Sequence, residues 1–267
     1  MNSLTTKMSV YLSEMTSLER SIADYFISQK LSEEDLASQQ ITQRLHISQA
    51  TLTRFAKKCG FKGYREFVFE YLKSQKSDQQ DFAKFHRDLT KRVMIDYHDL
   101  IQQSHDLVDE EQLQKLAELI ENTERVYFYG KGSSALVAQE LKLRLMRLGV
   151  VCDALSSTEG MIWSANSLSQ NCLVIGFSLS GTTPSVLTGL EQAKAKGAET
   201  VLITATPIEK HDFLTQIIRV ASTHHINYGN RISPQFPMLV MVDILYAYFL
   251  EINKEKKEAI FKETIIE

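Results

Sequence analysis

The sequence predicts an all-α N-terminal region followed by an α/β region built on a parallel five-stranded sheet. Three observations carry this reading. From Thr16 to Phe69 the apolar residues recur at helical spacing between polar caps. Beyond residue 120, short β-branched and aromatic runs alternate with amphipathic stretches, the order expected of parallel strands covered by helices. Between the two regions, Lys73 to Asp81 holds no apolar residue to bury, which makes it the linker candidate. The expected division is therefore a first domain at 1–75, a linker and connecting helix at 76–105, and a second domain at 106–267.

At 267 residues the chain is long for one core and comfortable for two. A composition of 43% hydrophobic and 24% charged residues with a net charge of -3 is that of a soluble globular protein, so any nucleic-acid site must concentrate its basic residues locally. The three cysteines, Cys59, Cys152 and Cys172, are widely spaced and form no Cys-x-x-Cys pair, which argues against a disulfide framework and a zinc cluster. The sequence begins without a basic and apolar leader, so a cytoplasmic location is expected. Phe236 to Leu250, interrupted by Asp243, is shorter than the roughly 20 residues a bilayer requires and reads as a buried helix, so no membrane partner is expected.

In the first domain, Thr16-Ser17-Leu18-Glu19 is a capping box that starts a helix, and Ser32-Glu33-Glu34-Asp35 announces another. Gln39 to Leu45 then forms a short helix, His46-Ile47-Ser48 a turn, and Gln49 to Cys59 a second helix stopped by Gly60. This spacing is that of a helix-turn-helix unit, whose second helix enters the DNA major groove. Ile41, Leu45, Ile47, Leu52 and Phe55 fall on the inward side, leaving Gln49, Ala50, Thr51, Thr53 and Arg54 outward, with Ser48 as N-cap. Arg44 to Arg65 carries Arg44, Arg54, Lys57, Lys58, Lys62 and Arg65; apart from Glu66 just beyond, no acid interrupts this stretch, which suits phosphate contacts. A helical bundle with a solvated basic face would show the same charges. His46 stands where such turns usually carry Gly or Asn, and histidine tolerates positive φ better than most residues.

The stretches Leu18 to Tyr25, Ser48 to Phe55 and Gly60 to Phe67 together resemble the N-terminal domain of the RpiR (MurR/RpiR) family of bacterial regulators. The resemblance implies a double-stranded DNA operator as partner. The candidate contacts are Ser48, Gln49, Thr51, Thr53, Arg54, Lys57, Lys58, Lys62, Tyr64 and Arg65.

The second domain has candidate strands at Arg125 to Tyr129, Val150 to Ala154, Cys172 to Phe177, Thr200 to Thr204 and Ile217 to Ala221. Its candidate helices are Ser134 to Leu148, Pro184 to Lys196 and Met238 to Asn253, preceded by helical stretches from Phe82 to Ile120. Two polar loops follow two of the strands, Gly130-Lys131-Gly132-Ser133-Ser134 and Ser178-Leu179-Ser180-Gly181-Thr182-Thr183. Each leads into a helix, so free N–H groups and the positive end of the helix dipole await an anion. Thr183-Pro184 reads as N-cap and first helical residue. Gly130-x-Gly132-x-x-Ala135 with Asp153 also fits a dinucleotide fingerprint, although the hydroxyl-rich second loop suits a phosphorylated small molecule better.

Gly130 to Ser134, the helix Leu136 to Gly149, and Ser178 to Thr183 resemble the sugar isomerase (SIS) domain, over about Phe82 to Asn253. That resemblance implies a flavodoxin-like sheet and a phosphosugar ligand in a homo-oligomer, dimer or tetramer. The expected effector contacts are Gly132, Ser133, Ser134, Ser178, Ser180, Gly181, Thr182 and Thr183, and the region His211 to Pro234 departs from the usual pattern. An isomerase would need a carboxylate or histidine beside the sugar carbonyl. Glu159, His211, His224 and His225 are the candidates, and each reads more simply as a helix-start acid or a loop residue. The expectation is a transcription regulator of carbohydrate metabolism modulated by a phosphosugar, with no catalysis, cofactor or metal. A phosphosugar isomerase or lyase and a dinucleotide-sensing regulator are the alternatives.

Overall fold

The computed structural model describes residues 15–28, 31–81, 85–209, 211–222, 225–226 and 229–265. The chain divides into two compact units, 1–103 and 104–267.

In the first unit, α1 (Ser17–Ser28) starts at the expected capping box: Thr16 N donates to Glu19 at 2.8 Å and Glu19 N to Thr16 Oγ1 at 3.3 Å. The second capping signal closes on a single turn instead, with Ser32 and Asp35 exchanging bonds, and α2 (Ser38–Leu45) begins three residues later. His46 ends α2 in the left-handed region at φ 51°, as its place in the turn requires. Ser48 caps α3 (Gln49–Lys58), its hydroxyl accepting from Thr51 N at 3.1 Å.

α4 (Tyr64–Asp81) then runs on through the segment read as a linker. Its first half is anchored by Phe67 and Tyr71, and each further residue adds one helical hydrogen bond without needing an apolar contact. Phe26, Phe55, Phe61, Phe67 and Tyr71 form the aromatic centre of this unit, with Phe26 and Phe67 packed edge to face at 4.8 Å. Ile41 and Leu52 are buried in it, while Leu45 and Ile47 close its rim. The helix α5 (Asp88–Leu107) follows; residues 82–84, where a helix start was expected, lie outside the described residues.

The second unit holds a five-stranded parallel sheet in the order β2-β1-β3-β4-β5. Its strands are β1 (Arg125–Gly130), β2 (Cys152–Leu155), β3 (Cys172–Phe177), β4 (Glu199–Thr204) and β5 (Gln216–Arg219). Alternation decides which face each residue serves. Val126, Phe128, Leu173 and Ile175 pack against α6 (Glu110–Asn122), α7 (Ser133–Met146) and α10 (Phe236–Glu251). On the other face, Tyr129, Val174 and Leu202 meet α8 (Thr158–Asn166) and α9 (Pro184–Ala195).

The apolar α10 is thus a core helix. Among the described residues no single helix is long and apolar enough to cross a membrane. Three elements had no forecast range: α8, of which only the helix-start acid Glu159 was read, the small antiparallel pair His225–Ile226 and Gly229–Asn230, and the helix α11 (Lys254–Glu263). α11 is fixed by Lys257, which lies 2.7 Å from the Glu121 carboxylate and over the Phe249 ring.

Candidate functional site

The first site is the outer face of α3. Gln49, Ala50, Arg54 and Lys57 are exposed, Thr51 and Thr53 are half-buried, and Arg54 Nη2 lies 3.4 Å from Thr51 Oγ1. Beyond the helix, Lys62 and Arg65 are exposed. Arg54, Lys57, Lys62 and Arg65 have no carboxylate partner among the described residues, so their charge faces outward.

Two expected members of the face are engaged elsewhere. Lys58 forms a 2.9 Å ion pair with Glu19, joining the end of α3 to the start of α1. That pair, with the Thr16 bonds, holds the Glu19 carboxyl below its ordinary range. Tyr64 turns its hydroxyl inward to Leu36 O at 2.8 Å, and burial raises its pKa. Arg44 is likewise committed, to Asp35 at 2.7 Å and to the Tyr25 hydroxyl.

The second site lies at the C-terminal edge of the sheet. With the order β2-β1-β3, the chain leaves β1 and β3 toward opposite faces, and the crevice between such strand ends is where open α/β sheets bind ligands. The first loop needs both glycines. A Cβ on Gly130 would lie 2.9 Å from the backbone of Ser134 and Ala135, because the first turn of α7 folds directly onto the strand end. Gly132 adopts φ 54° and ψ -127°, a region closed to L side chains, and no side chain caps the helix start that follows. Ser133 is half-buried there and Ser134 buried.

In the second loop, Ser178 is 1% exposed and its hydroxyl meets Thr183 Oγ1 at 2.8 Å. Ser180 Oγ accepts from Thr182 N at 3.3 Å and from Thr182 Oγ1 at 3.1 Å. Gly181 has φ 69° and sits against Ile208 and Thr204. Thr183 is the N-cap residue and Pro184 the first helical one, as the sequence indicates. The Thr183 hydroxyl, however, is turned to Ser178 and caps no helical N–H, so the start of α9 also lacks a side-chain cap. Ser178 is the inner post of this network rather than a free contact.

Of the remaining candidates, Asp153 and His211 make structural contacts. Asp153, the acid of the dinucleotide alternative, is paired with Lys142 of α7 at 2.6 Å, which holds its carboxyl below the ordinary range despite burial. Glu159 is exposed in the first turn of α8, after the Ser157 cap. His211 stacks on Phe213 at 5.0 Å, while His224 and the side chain of His225 lie outside the described residues. Among the described residues no three His, Cys, Asp or Glu side chains gather as metal ligands.

Sequence reasoning passed over Arg219. It ends β5 at the same sheet edge, half-buried, and the only signal was a lone arginine inside the apolar run Ile217 to Ala221.

Residues 1–79 match the helix-turn-helix domain of the rpiR family, and residues 119–243 match the SIS domain. A protein of Haemophilus influenzae described as an HTH-type transcriptional regulator is 27% identical over 258 residues, covering 89% of this chain and 86% of the relative. Another HTH-type transcriptional regulator, from Clostridium perfringens, is 26% identical over 226 residues, covering 80% of this chain and 79% of its own. Among solved structures, the Vibrio vulnificus NanR protein complexed with ManNAc-6P superposes with a TM-score of 0.60 at 23% identity, over 98% of this chain and 96% of that one. The sugar isomerase domain of an RpiR transcription factor from Sphaerobacter thermophilus gives a TM-score of 0.61 at 20% identity, over 66% of this chain and 98% of that one. At those identities the two structures attest the fold. With both domain matches in sequence order and relatives of the same kind along most of its length, the chain belongs to the rpiR family of helix-turn-helix transcription regulators that carry a SIS domain.

Proposed function

We propose that this protein is a cytoplasmic regulator of carbohydrate metabolism whose grip on operator DNA changes when a phosphosugar binds its SIS domain. One observation carries the reading: two helix starts without side-chain caps, fringed with hydroxyls, stand at the ends of the adjacent strands β1 and β3. Uncapped N–H groups at a helix start favour a phosphate, and the hydroxyls add donors without fixing a counter-charge. Gly132, Ser133, Ser134, Ser180, Gly181, Thr182 and Thr183 would touch the effector, with Ser178 orienting Thr183. The relative from Vibrio vulnificus, solved with a phosphosugar, supports the same ligand class.

On DNA, Gln49, Thr51, Thr53 and Arg54 would reach base edges, Ser48 would hold the helix start, and Lys57, Lys62 and Arg65 would take phosphates. A homodimer would present two such helices about 34–36 Å apart, one DNA turn. Residues 76–105 would connect the DNA-binding part, 1–75, to the effector domain, 106–267. An effector alters DNA binding through this connection only if it favours one of two arrangements.

The test is a thermal-shift screen against sugar phosphates, the corresponding free sugars and NAD(H), since a ligand of the folded state raises its melting temperature. A shift confined to phosphorylated sugars, lost in Ser180→Ala/Thr182→Ala, is expected. A shift with NAD(H) alone would overturn the phosphosugar reading. On the DNA side, Arg54→Ala should remove most specific binding; unchanged operator affinity would displace the recognition helix.

A further inference from the structure

Arg219 is a charged residue that the fold holds half-buried without a carboxylate partner among the described residues. Its Nη2 donates to Ala205 O at 3.3 Å, and its Nε is buried with no acceptor among the described residues. No carboxylate pairs with it there, and desolvation alone lowers its pKa. Leaving an arginine uncompensated in this way is costly unless something else supplies the acceptor.

Its position says what that would be. In the β4–β5 register Arg219 is opposite Thr204, so both side chains share the α9 face of the sheet. Thr204 Oγ1 lies 3.0 Å from the point where Gly181 would carry a Cβ. Ala205 N, Thr204 Oγ1 and Thr206 Oγ1 all donate to Leu179 O, within the hydroxyl loop, at 3.1, 3.3 and 3.2 Å. The arginine therefore belongs to the same strand edge as the Ser178–Thr183 loop, two strands or about 10 Å along the sheet. That loop contains no charged residue of its own.

We infer that Arg219 is a specificity-determining contact of the effector site, binding an acceptor-only oxygen, carboxylate or acyl carbonyl, at the end of the phosphosugar away from its phosphate. The inference rests on the phosphosugar reading above. A plain hydroxyl satisfies Nε without discriminating between ligands, whereas a carboxylate or carbonyl oxygen offers only lone pairs to the guanidinium. Among the two, the unpaired charge favours the carboxylate.

Isothermal titration of the full chain with glucose 6-phosphate, N-acetylglucosamine 6-phosphate, N-acetylmannosamine 6-phosphate, 6-phosphogluconate and inorganic phosphate tests it. An N-acyl or carboxylate ligand should bind about 10- to 100-fold more tightly than glucose 6-phosphate. Arg219→Met should erase that preference while leaving the weak binding of inorganic phosphate unchanged, and Arg219→Lys, which keeps the charge but not Nε, should restore part of it. A structural role confined to Ala205 would lower affinity for every ligand equally. Equal or tighter binding of glucose 6-phosphate by the wild type overturns the inference without needing a variant, as does an unaltered preference in Arg219→Met. If no phosphosugar binds, or if binding survives Ser180→Ala/Thr182→Ala, the phosphosugar reading itself falls and the Arg219 contact with it.

Discussion

Replacing Lys58 by alanine separates two roles that a basic residue on a recognition helix can have. A phosphate contact contributes through counterion release, so its loss reduces the slope of log K against log salt by about 0.9. An internal ion pair contributes to folding and leaves that slope alone. Lys58 and Glu19 are 30% and 18% exposed and lie 2.9 Å apart, and Glu19 is also the acid of the α1 capping box. A partly buried, charge-assisted bond of this kind is worth about 1 kcal/mol. Over a domain of this size that corresponds to roughly 5 °C in melting temperature.

Lys58→Ala should therefore lower the melting temperature of the N-terminal unit by about that amount and leave the salt slope of operator binding unchanged. Lys57→Ala should do the reverse, since Lys57 is exposed and has no carboxylate partner among the described residues. Differential scanning calorimetry and fluorescence anisotropy at several salt concentrations read the two effects independently. A slope reduced by about 0.9 in Lys58→Ala, with melting unchanged, would refute the reasoning.

Further outcomes follow from single features. Gly130→Ala would drive a Cβ into backbone atoms 2.9 Å away, and should cost about 1–3 kcal/mol in urea unfolding and abolish effector-induced stabilisation. Lys257→Met removes the ion pair of the half-buried Glu121, which keeps its 2.7 Å bond from Asn253 Nδ2, and should destabilise the SIS unit by about 1–3 kcal/mol; adding Glu121→Gln should recover much of that loss. Acid should loosen the N-terminal unit through Asp35, whose pKa the Ser32 and Arg44 bonds lower to about 2 from 3.8. A depressed carboxyl contributes stability above its unfolded pKa, and that contribution fades as pH falls from about 4 to about 2. Asp35→Asn should flatten that part of the pH–stability curve.

Much of this architecture was legible because the patterns that form it are local. The five strands lie within two residues of their apolar runs, and Gly149, Gly197 and Pro184 mark helix ends by backbone chemistry alone. Lys73 to Asp81 is helical although it carries no apolar period, because hydrophobic periodicity reports burial and a helix running on beyond its packed first half carries no such signal. Lys58 and Tyr64 could not be told from surface contacts, since their partners, Glu19 and the Leu36 carbonyl, are 39 and 28 residues away. Arg219 escaped for a related reason, because its lack of a carboxylate partner among the described residues shows only once the fold has placed its neighbours. The two polar loops before α7 and α9 were legible in outline, whereas the inward turn of the Ser178 hydroxyl was not.

The most direct test of the account joins its two sites in one tube. A DNA fragment selected by the protein from a random pool would be titrated by fluorescence anisotropy, with and without a phosphosugar that raises the melting temperature. DNA affinity should change by about tenfold or more, and the change should be absent in Ser180→Ala/Thr182→Ala. Superimposable isotherms with a saturating, stabilising phosphosugar would contradict it.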